Sequence, residues 1–230
     1  MKNNENIVDF HAHILPGADH GSDSIETSLW QINSARSAGV NRIIATPHFY
    51  PHRHSVKSFI ERRNKAYNIL VPHLTSDVEI RLGAEALICT GFENLPDLDL
   101  LFVEGTKTIL IELPYGNFDD GFCRSVAAMK KQGIDVVLAH ADRYSVTNVE
   151  KMIRSGARLQ INAKSLLGLV KRREVYTWLN SGKVAFIGSD IHGKDKSAYR
   201  NFVKGISKIE KTEDIIRQNS DDVWNKLNSR

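Results

Sequence analysis

Short runs of apolar, β-branched residues alternate along the chain with longer segments whose apolar positions recur every three or four residues. The short runs have the length and composition of buried parallel strands. Seven runs are predicted as strands: Ile7–Phe10, Arg42–Ala45, Val78–Leu82, Thr108–Leu113, Val136–Ala139, Arg158–Ile161 and Val184–Ile187. Strands that alternate with helices indicate an α/β fold with a parallel sheet, either open or closed into a barrel.

The longer segments have the periodicity of amphipathic helices. The first is predicted to begin at Asp23, with Glu26 three residues later as a capping partner, and to end near Gly39. The other helices are predicted at Val56–Leu74, Gly121–Gln132, Val146–Ser155, Arg173–Ser181, Ala198–Ile209 and Thr212–Leu227. The connection from Leu82 to Thr106 is less regular, and we expect only short helices in it.

Polar residues suited to metal or phosphate binding follow the predicted strands at their carboxyl ends. In chain order they are His11 and His13, His48, Glu85, Glu112, His140 and Arg143, Asn162, and Asp190 with His192. Ligands of parallel β/α folds bind at these ends. A closed barrel brings all the ends to one mouth, whereas the outer strands of an open sheet lie too far apart. The pattern therefore favours a TIM-like (β/α)7 barrel that occupies residues 1–230 as a single domain.

The spacing of these residues is consistent with metal binding. His11 and His13 are two apart on a strand, so both imidazoles can face one ion, and Asp190 and His192 repeat that spacing. A buried carboxylate such as Glu85 is costly unless it is paired or coordinates a metal. Taken singly, a core histidine or a salt bridge explains each position equally well, and only the whole set favours a metal centre.

Three further histidines do not fit the strand-end pattern. His52 and His54 lie in a loop near the expected mouth, where they are either exposed or able to touch a substrate. His73 lies near a helix end and is expected at the surface.

Composition excludes several other classes of protein. The net charge of +4 comes without a dense basic stripe, so a long nucleic acid is not the expected partner. The two cysteines, Cys89 and Cys123, form no Cys-x-x-Cys pair, which disfavours a thiolate zinc site and suits a reducing compartment. No signal-like start and no long apolar run is present in the sequence, so we expect a cytoplasmic protein that is not embedded in a membrane.

The order of the polar motifs resembles the PHP (polymerase and histidinol phosphatase) superfamily. Within it, the chain is most similar to the bacterial tyrosine-phosphatase branch linked to capsular and exopolysaccharide synthesis. The resembling stretches are Asp9–Gly17, Ala45–His48, Gly83–Glu85, Ile111–Pro114, His140–Tyr144, Leu159–Asn162 and Gly188–His192. The resemblance implies a distorted seven-stranded barrel that holds two or three divalent ions, with Mn²⁺ as the first choice and Fe, Zn²⁺ or Co²⁺ as alternatives.

The resemblance also implies a role for each residue. The ligands of the first ion would be His11, His13, Glu85 and Asp190. Those of the second would be Glu85, Glu112 and His140, and those of the third His20, His48 and His192. Arg143 would contact the phosphate as a catalytic and substrate-binding residue.

One motif departs from the branch, which usually has two acidic residues and a glycine after Pro16 and Gly17. This chain has Asp19, His20 and Gly21. Histidine is itself a good ligand for these metals, so His20 would keep the site. Asp19 would be a fallback ligand or an outer residue that orients a ligand, and Asp9 is a further outer candidate.

The implied function is a metal-dependent protein-tyrosine phosphatase that acts on a bacterial tyrosine kinase regulating capsular or exopolysaccharide synthesis. The first alternative is a small-molecule phosphomonoesterase of the same superfamily, such as histidinol phosphatase. An amidohydrolase shares the strand-one histidine pair, but it needs a metal-bridging lysine before its later histidines, and Lys164 follows His140. The last alternative is a non-catalytic kinase-binding regulator. The oligomeric state is left open.

Overall fold

The computed structural model describes residues 8–168, 172–209 and 213–225, in which parallel strands alternate with helices. The strands in these ranges are β1 (Val8–Ala12), β2 (Arg42–Ala45), β3 (His48–Phe49), β4 (Glu79–Leu82), β5 (Glu85–Leu87), β6 (Thr108–Glu112), β7 (Asp135–Leu138), β8 (Arg158–Asn162) and β9 (Val184–Gly188). The α-helices in these ranges are α1 (Ile25–Ser37), α2 (Val56–Leu70), α3 (Asp120–Lys131), α4 (Val146–Arg154), α5 (Arg172–Asn180), α6 (Ala198–Ile206) and α7 (Glu213–Asn225).

The predicted strands and helices are confirmed apart from small shifts at their ends. Ile7, Thr212 and residues 226–227 belong to predicted elements but lie outside the described residues. The irregular connection before Thr106 contains two short 3₁₀ helices, as expected. The predictions missed β3 and β5, which are only two and three residues long.

The start of α1 differs by one residue from the prediction. Ser24, not Asp23, is the N-cap, and its hydroxyl oxygen accepts a hydrogen bond from the Thr27 backbone N–H at 3.2 Å. Asp23 instead accepts a hydrogen bond from the Thr27 hydroxyl at 2.6 Å. Gly39 follows the helix with a φ of 80°, as predicted for a left-handed helix stop.

The described strands form two parallel sheets, with the orders β1-β2-β4 and β3-β5-β6-β7-β8-β9. Thr46 and Pro47 separate β2 from β3, and Gly83 and Ala84 separate β4 from β5. Each of these two chain segments therefore contributes one strand to each sheet. The α/β class with parallel strands is confirmed, but the pairing does not record one closed barrel.

Backbone hydrogen bonds also join the two sheets at their other edge. The Asp190 N–H donates to the His11 carbonyl at 2.8 Å, and the His13 N–H donates to the Ile191 carbonyl at 3.2 Å. These bonds bring the carboxyl ends of β1 and β9 side by side. His11 and His13, the first predicted ligands in the chain, thus lie beside Asp190 and His192, the last ones.

Apolar packing joins the same strands at their middle residues. A cluster that includes Phe10, Phe186 and Trp224 joins both sheets to α7, and the two phenylalanine rings stack with centroids 3.6 Å apart. Among the described residues, none of the helices is both long enough and apolar enough to cross a bilayer.

Candidate metal centre

Glu85 lies at the centre of the polar side chains that gather at the carboxyl ends of the strands. Its Oε2 atom is 3.2 Å from His11 Nε2, 3.2 Å from His13 Nε2 and 2.9 Å from His48 Nδ1. Its Oε1 atom is 2.6 Å from His140 Nε2. One buried carboxylate therefore faces four imidazoles: His11 on β1, His13 directly after it, His48 on β3 and His140 shortly after β7.

Outer hydrogen bonds determine which ring nitrogens of the first two histidines face Glu85. His13 Nδ1 is 2.7 Å from Asp19 Oδ2, and His11 Nδ1 is 3.1 Å from Gln160 Oε1. Because an amide or ionised carboxylate oxygen only accepts, each Nδ1 carries a proton and donates. In the neutral rings both Nε2 atoms then present lone pairs, and these atoms are 3.0 Å apart beside Glu85 Oε2. Three acceptors that face one another without a proton leave a place for a cation.

The electrostatics of this cluster attract positive charge. Burial opposes the charged form of His11 and His13, yet nearby carboxylates raise the pKa of both rings above the usual value. Burial opposes the charged form of Glu85 too, but the facing histidines hold its pKa well below the usual range. The cluster therefore favours positive charge, and protons and a divalent metal ion compete for the same ligand atoms.

Several buried atoms of the cluster make no hydrogen bond. Within the described residues, Glu85 Oε2, His48 Nδ1 and His140 Nδ1 are buried without a partner of acceptable geometry. Such atoms cost free energy unless a ligand satisfies them. Three overlapping triads have ligand atoms within 4.8 Å of one another: His11, His13 and Glu85; His48, Glu85 and Glu112; and His13, His48 and His192. The donor set is a histidine and glutamate cluster that can hold a divalent metal ion.

Asp190 approaches the same cluster from β9. Its Oδ1 atom is 3.7 Å from His11 Nε2 and 3.6 Å from His13 Nε2, and its Oδ2 atom pairs with Arg143. Burial would raise the pKa of Asp190, but the positive charges of these three residues lower it to about 2. Asp190 and His140 have φ angles of 54° and 32°, which are strained for residues other than glycine and typical of functional sites.

His20, His48 and His192 form a second group on the solvent side of the cluster. The ring of His20 has its centroid 4.8 Å from those of both His48 and His192. Burial and a neighbouring histidine lower the pKa of His192 to about 4, so the ring is neutral and can ligate. Burial opposes the charge of His48, but the nearby carboxylates of Glu112 and Glu85 raise its pKa to about 9. His48 therefore lies beside Glu85 and Glu112, which are predicted for the second ion, as well as beside His20, which is predicted for the third.

The two acidic residues predicted as outer partners occupy different positions. Asp19 Oδ2 accepts from His13 and from the His48 backbone N–H at 2.9 Å, and its Oδ1 accepts from the Gly21 N–H at 2.8 Å. These contacts favour an orienting role over that of a fallback ligand. Asp9 is buried, and its Oδ1 atom accepts from the Ser189 N–H at 2.8 Å, which ties β1 to β9.

Sequence reasoning missed Gln160, whose side chain touches His11, and treated Asn162 only as a weak strand-end residue. Both are buried, and they lie two residues apart on β8. Two amides at this spacing inside an apolar strand are the signal that could have identified them.

A cavity of about 590 Å³ opens above the cluster. Its floor includes His20, His48, Glu112, Asp190, His192 and Arg143. Its rim carries Tyr50, whose ring stacks on His48 with centroids 5.4 Å apart, and Arg53, which lies 5.2 Å over the Tyr50 ring. His52 also lines this cavity, whereas His54 lines a separate hollow beside it. His73 is exposed, as predicted.

Several similar proteins are known. A tyrosine-protein phosphatase of Bacillus subtilis, YwqE, is 26% identical over 201 residues, which cover 81% of this chain and 77% of the relative. The crystal structures described as YwqE from Bacillus subtilis and CpsB from Streptococcus pneumoniae, unique metal-dependent tyrosine phosphatases, match with a TM-score of 0.79 at 21% identity. That match covers 97% of this chain and 95% of the other.

More distant structures share the fold alone. A probable 2-pyrone-4,6-dicarboxylic acid hydrolase from Acinetobacter baumannii has a TM-score of 0.51 at 15% identity, covering 96% of this chain and 99% of the other.

A family model for capsular polysaccharide synthesis, CpsB/CapC, matches residues 7–223. That match contains all the predicted metal ligands, from His11 to His192, and it agrees with the resemblance found in the sequence. The chain therefore belongs to the CpsB/CapC family of capsular polysaccharide synthesis.

Proposed function

We propose that this protein is a metal-dependent protein-tyrosine phosphatase, which hydrolyses phosphotyrosine to tyrosine and phosphate. The observation that carries the proposal is the position of Glu85, whose carboxylate oxygens lie within 3.2 Å of ring nitrogens from four histidines. The activity named for the Bacillus subtilis relative, tyrosine-protein phosphatase, supports the same reading.

Two or three divalent ions are proposed to occupy the cluster. The ligands of the first are His11, His13, Glu85 and Asp190. The second is held by Glu85, Glu112 and His140, and the third by His20, His48 and His192. Mixed imidazole and carboxylate ligands suit Mn²⁺, our first choice, and also Fe, Zn²⁺ and Co²⁺. Such ions, when bound, activate water as a nucleophile near neutral pH and draw charge from the phosphoryl oxygens.

Arg143 is the proposed phosphate-binding and catalytic residue of the protein. Its side chain is 46% exposed and lines the cavity, and it pairs with Asp190 in this structure. Asn162 also donates to Asp190, at 2.9 Å, so that carboxylate keeps a partner when Arg143 turns towards a substrate. The planar guanidinium can hold two phosphate oxygens at once and stabilise the charge that develops on them.

The cavity suits an aryl phosphate. Leu87, Leu113, Pro114 and the rings of Tyr50 and Tyr115 provide apolar walls above the polar floor. A tyrosine side chain has a pKa of about 10, so its phenolate leaves without prior protonation far more readily than an alkoxide. This difference favours phosphotyrosine over an alkyl ester such as histidinol phosphate in a site to which we assign no general acid.

We propose a bacterial tyrosine kinase that regulates capsular or exopolysaccharide synthesis as the phosphotyrosine protein. The family description, capsular polysaccharide synthesis, supports this partner. Tyr115 is 95% exposed at the edge of the cavity, where a protein surface could reach it. The proposed compartment is the cytoplasm, where thiols such as the free Cys89 and Cys123 stay reduced.

The finer fold proposed is a distorted (β/α)7 barrel that forms one domain over residues 1–230. If β2 with β3 and β4 with β5 each count as one broken strand, the nine strands of the described residues become seven. The hydrogen bonds between β1 and β9 support closure at the remaining edge. In that arrangement all the proposed ligands face a single mouth.

The competing functions have less support. Lys164, the one lysine considered for an amidohydrolase, is exposed and is not part of the cavity lining. A non-catalytic regulator would not need an intact ligand set around Glu85. A small-molecule phosphatase would use the same ions and Arg143, so the choice of ester separates it from the proposal.

The test is hydrolysis of a phosphotyrosine peptide, histidinol phosphate and a phosphodiester with added Mn²⁺ and after chelation. We expect chelator-sensitive phosphate release mainly from the peptide. His11→Ala and Arg143→Ala should each lower the rate by about 10²- to 10³-fold, the usual cost of losing a group that stabilises transition-state charge. Arg124→Ala, a change of an exposed arginine on α3, is the matched control and should keep the rate.

The other outcomes are equally informative. A preference for histidinol phosphate would keep the metal centre and move the protein to the small-molecule phosphatases. No turnover of any ester with Mn²⁺, or with Fe, Zn²⁺ or Co²⁺ added in its place, would overturn the phosphatase proposal.

A further inference from the structure

β8 supplies no proposed metal ligand, yet two of its side chains lie directly beneath the cluster. Gln160 is fully buried, and Asn162 is 7% exposed. A buried primary amide is costly unless its oxygen and nitrogen find partners, so the contacts of these two side chains indicate what they do.

The contacts of Gln160 fix the orientation of its amide. The His140 backbone N–H can only donate, and it points to the Gln160 side-chain atom assigned as Oε1 at 2.7 Å. That atom must therefore be the oxygen. The same oxygen is 3.1 Å from His11 Nδ1, which must then carry the proton. His11 is thereby held in the tautomer whose Nε2 lone pair faces Glu85.

Asn162 extends this contact to a third proposed ligand. Gln160 Nε2 donates to Asn162 Oδ1 at 3.1 Å, and Asn162 Nδ2 donates to Asp190 Oδ2 at 2.9 Å. The two amides thus form a chain from His11 to Asp190, and every member of the chain has a defined donor or acceptor role. Hydrogen bonds therefore connect three residues to β8: His11 on β1, His140 after β7 and Asp190 after β9.

The neighbouring strand provides the space for this arrangement. A Cβ atom at Gly188 would lie 2.6 Å from His11 Cβ and 2.7 Å from Gln160 Nε2, so no side chain fits there without displacing both. The backbone of His140 has a φ of 32°, and the hydrogen bond from its N–H to Gln160 supports that strained conformation.

We infer that Gln160 is a positioning residue that presets His11 and His140 for metal binding, and that Asn162 extends the same control to Asp190. The inference rests on the proposed metal centre. Partners that fix the tautomer and orientation of a ligating histidine typically affect metal affinity by about 10- to 100-fold. Gln160 acts only through the ligands, because it lies behind them and has no exposed surface.

The test compares Gln160→Met, which has similar length but no amide, with Gln160→Glu, which keeps an acceptor at the same position. Titration of the chelator-treated protein with Mn²⁺ should show binding about 10- to 100-fold weaker in Gln160→Met. Gln160→Glu should recover most of that loss, because it keeps the acceptor for His11 and His140 but loses the donor to Asn162. Thr108→Val is the matched control, because Thr108 is buried and the change removes its partly buried hydrogen bond to Asp135 at the amino end of β6.

A second measurement separates this inference from the proposed function. Nitrogen chemical shifts of the histidine rings in the metal-free protein, recorded at a pH where the rings are neutral, report which nitrogen carries the proton. We expect the Nδ1-protonated form of His11 in the original protein and in Gln160→Glu, and its loss in Gln160→Met. This result is independent of any ester hydrolysis, and it can be read even if the protein binds Mn²⁺ without turnover.

Unchanged Mn²⁺ affinity together with an unchanged His11 tautomer in Gln160→Met would overturn the inference. If Gln160→Met does not fold, Gln160→Glu decides alone. Because Gln160→Glu also loses the donor to Asn162, the outcome that would contradict the acceptor role is a rise in its proportion of the other His11 tautomer. A protein that binds Mn²⁺ and follows these expectations but hydrolyses no ester would retain the Gln160 role and lose the phosphatase function.

Discussion

The two ends of the strands bury charged and polar side chains in opposite ways. At the amino ends, the buried cation Arg81 has partners within the protein: it donates to the Val223 carbonyl at 3.0 Å and lies 4.2 Å over the ring of Trp224. At the carboxyl ends, Glu85 Oε2 and His140 Nδ1 are buried without a hydrogen bond from the described residues. At the amino end of β2, Asn41 Oδ1 also lacks a hydrogen bond from the described residues, but the carboxyl ends gather several such atoms around one carboxylate, where a ligand could satisfy them.

This difference shows how the chain divides stability from function. The amino ends are closed by α7 and by stacked aromatic rings, so they can hold the fold without any ion. At the carboxyl ends, hydrogen-bond acceptors lie close together without a donor between them. Burial makes such an arrangement costly. The comparison predicts that changes at one end affect metal binding and catalysis, while changes at the other affect the free energy of unfolding.

The largest effect is expected from Glu85→Gln. Removing one charge from a buried charged group costs about 3–5 kcal/mol, which corresponds to a loss of roughly 10²- to 10³-fold in Mn²⁺ binding or more. Metal titration and phosphotyrosine hydrolysis measure it. Glu79→Gln, at the exposed amino end of β4, is the matched control and should change neither quantity. Equal losses in the two variants would remove the distinction between the ends.

Trp224→Ala tests the amino ends of the strands. Truncating this buried ring removes its contacts with Arg81 and is expected to lower the free energy of unfolding by about 3–5 kcal/mol. Urea unfolding in the presence of a chelator measures that loss. The Mn²⁺ affinity of the folded variant should stay within about threefold of the original, a range below 1 kcal/mol. Much weaker Mn²⁺ binding would mean that the two ends are coupled.

Asp190 gives the metal-free protein a dependence on pH at the carboxyl end. Its pKa is lowered from 3.8 to about 2, because the charges of His11, His13 and Arg143 outweigh its burial. A carboxylate with a lowered pKa stabilises the folded state fully above its unfolded value, and that stabilisation is lost as the pH falls through the folded value. The contribution is on the order of 2 kcal/mol. It should decline between about pH 4 and pH 2.

The measurement is urea unfolding of chelator-treated protein at several pH values, for the original and for Asp190→Asn. The difference between their unfolding free energies should shrink towards acid over that range. A difference that stays constant between pH 4 and pH 2 would contradict the assignment of the lowered pKa to Asp190.

Sequence patterns predicted the regular elements well because apolar runs of four or more residues define them. β3 and β5 were missed because His48–Phe49 and Glu85–Leu87 are too short to show a period, and they exist only through pairing with β6 and with each other. The split into two sheets follows from these same breaks. It depends on pairing between distant residues, which a strand-by-strand reading cannot supply.

The residues of the candidate site were predicted about as completely as the strands and helices. Ligand types at strand ends are visible in sequence, because each follows its own apolar run, and the structure brings these residues together. Their roles as metal ligands remain predictions. Gln160 was missed because its meaning comes from His11, which is 149 positions away in the chain. Asp19 was left between two roles because only its contacts with His13 and the His48 backbone distinguish them.

The smallest effect is expected from Asp221→Asn, which removes a carboxylate at the amino ends. Asp221 Oδ1 lies 3.4 Å from Arg42 Nη1, and both side chains are partly exposed. Such pairs contribute about 0.2–1 kcal/mol, and at 1 M salt charges further apart than about 3 Å are screened. Urea unfolding should therefore show a small loss at low salt that disappears at 1 M NaCl, with Mn²⁺ affinity unchanged. A loss above 1 kcal/mol that persists in salt would mean that the amino ends also depend on a charge network. The contrast between a self-sufficient end and a ligand-dependent end would then fail.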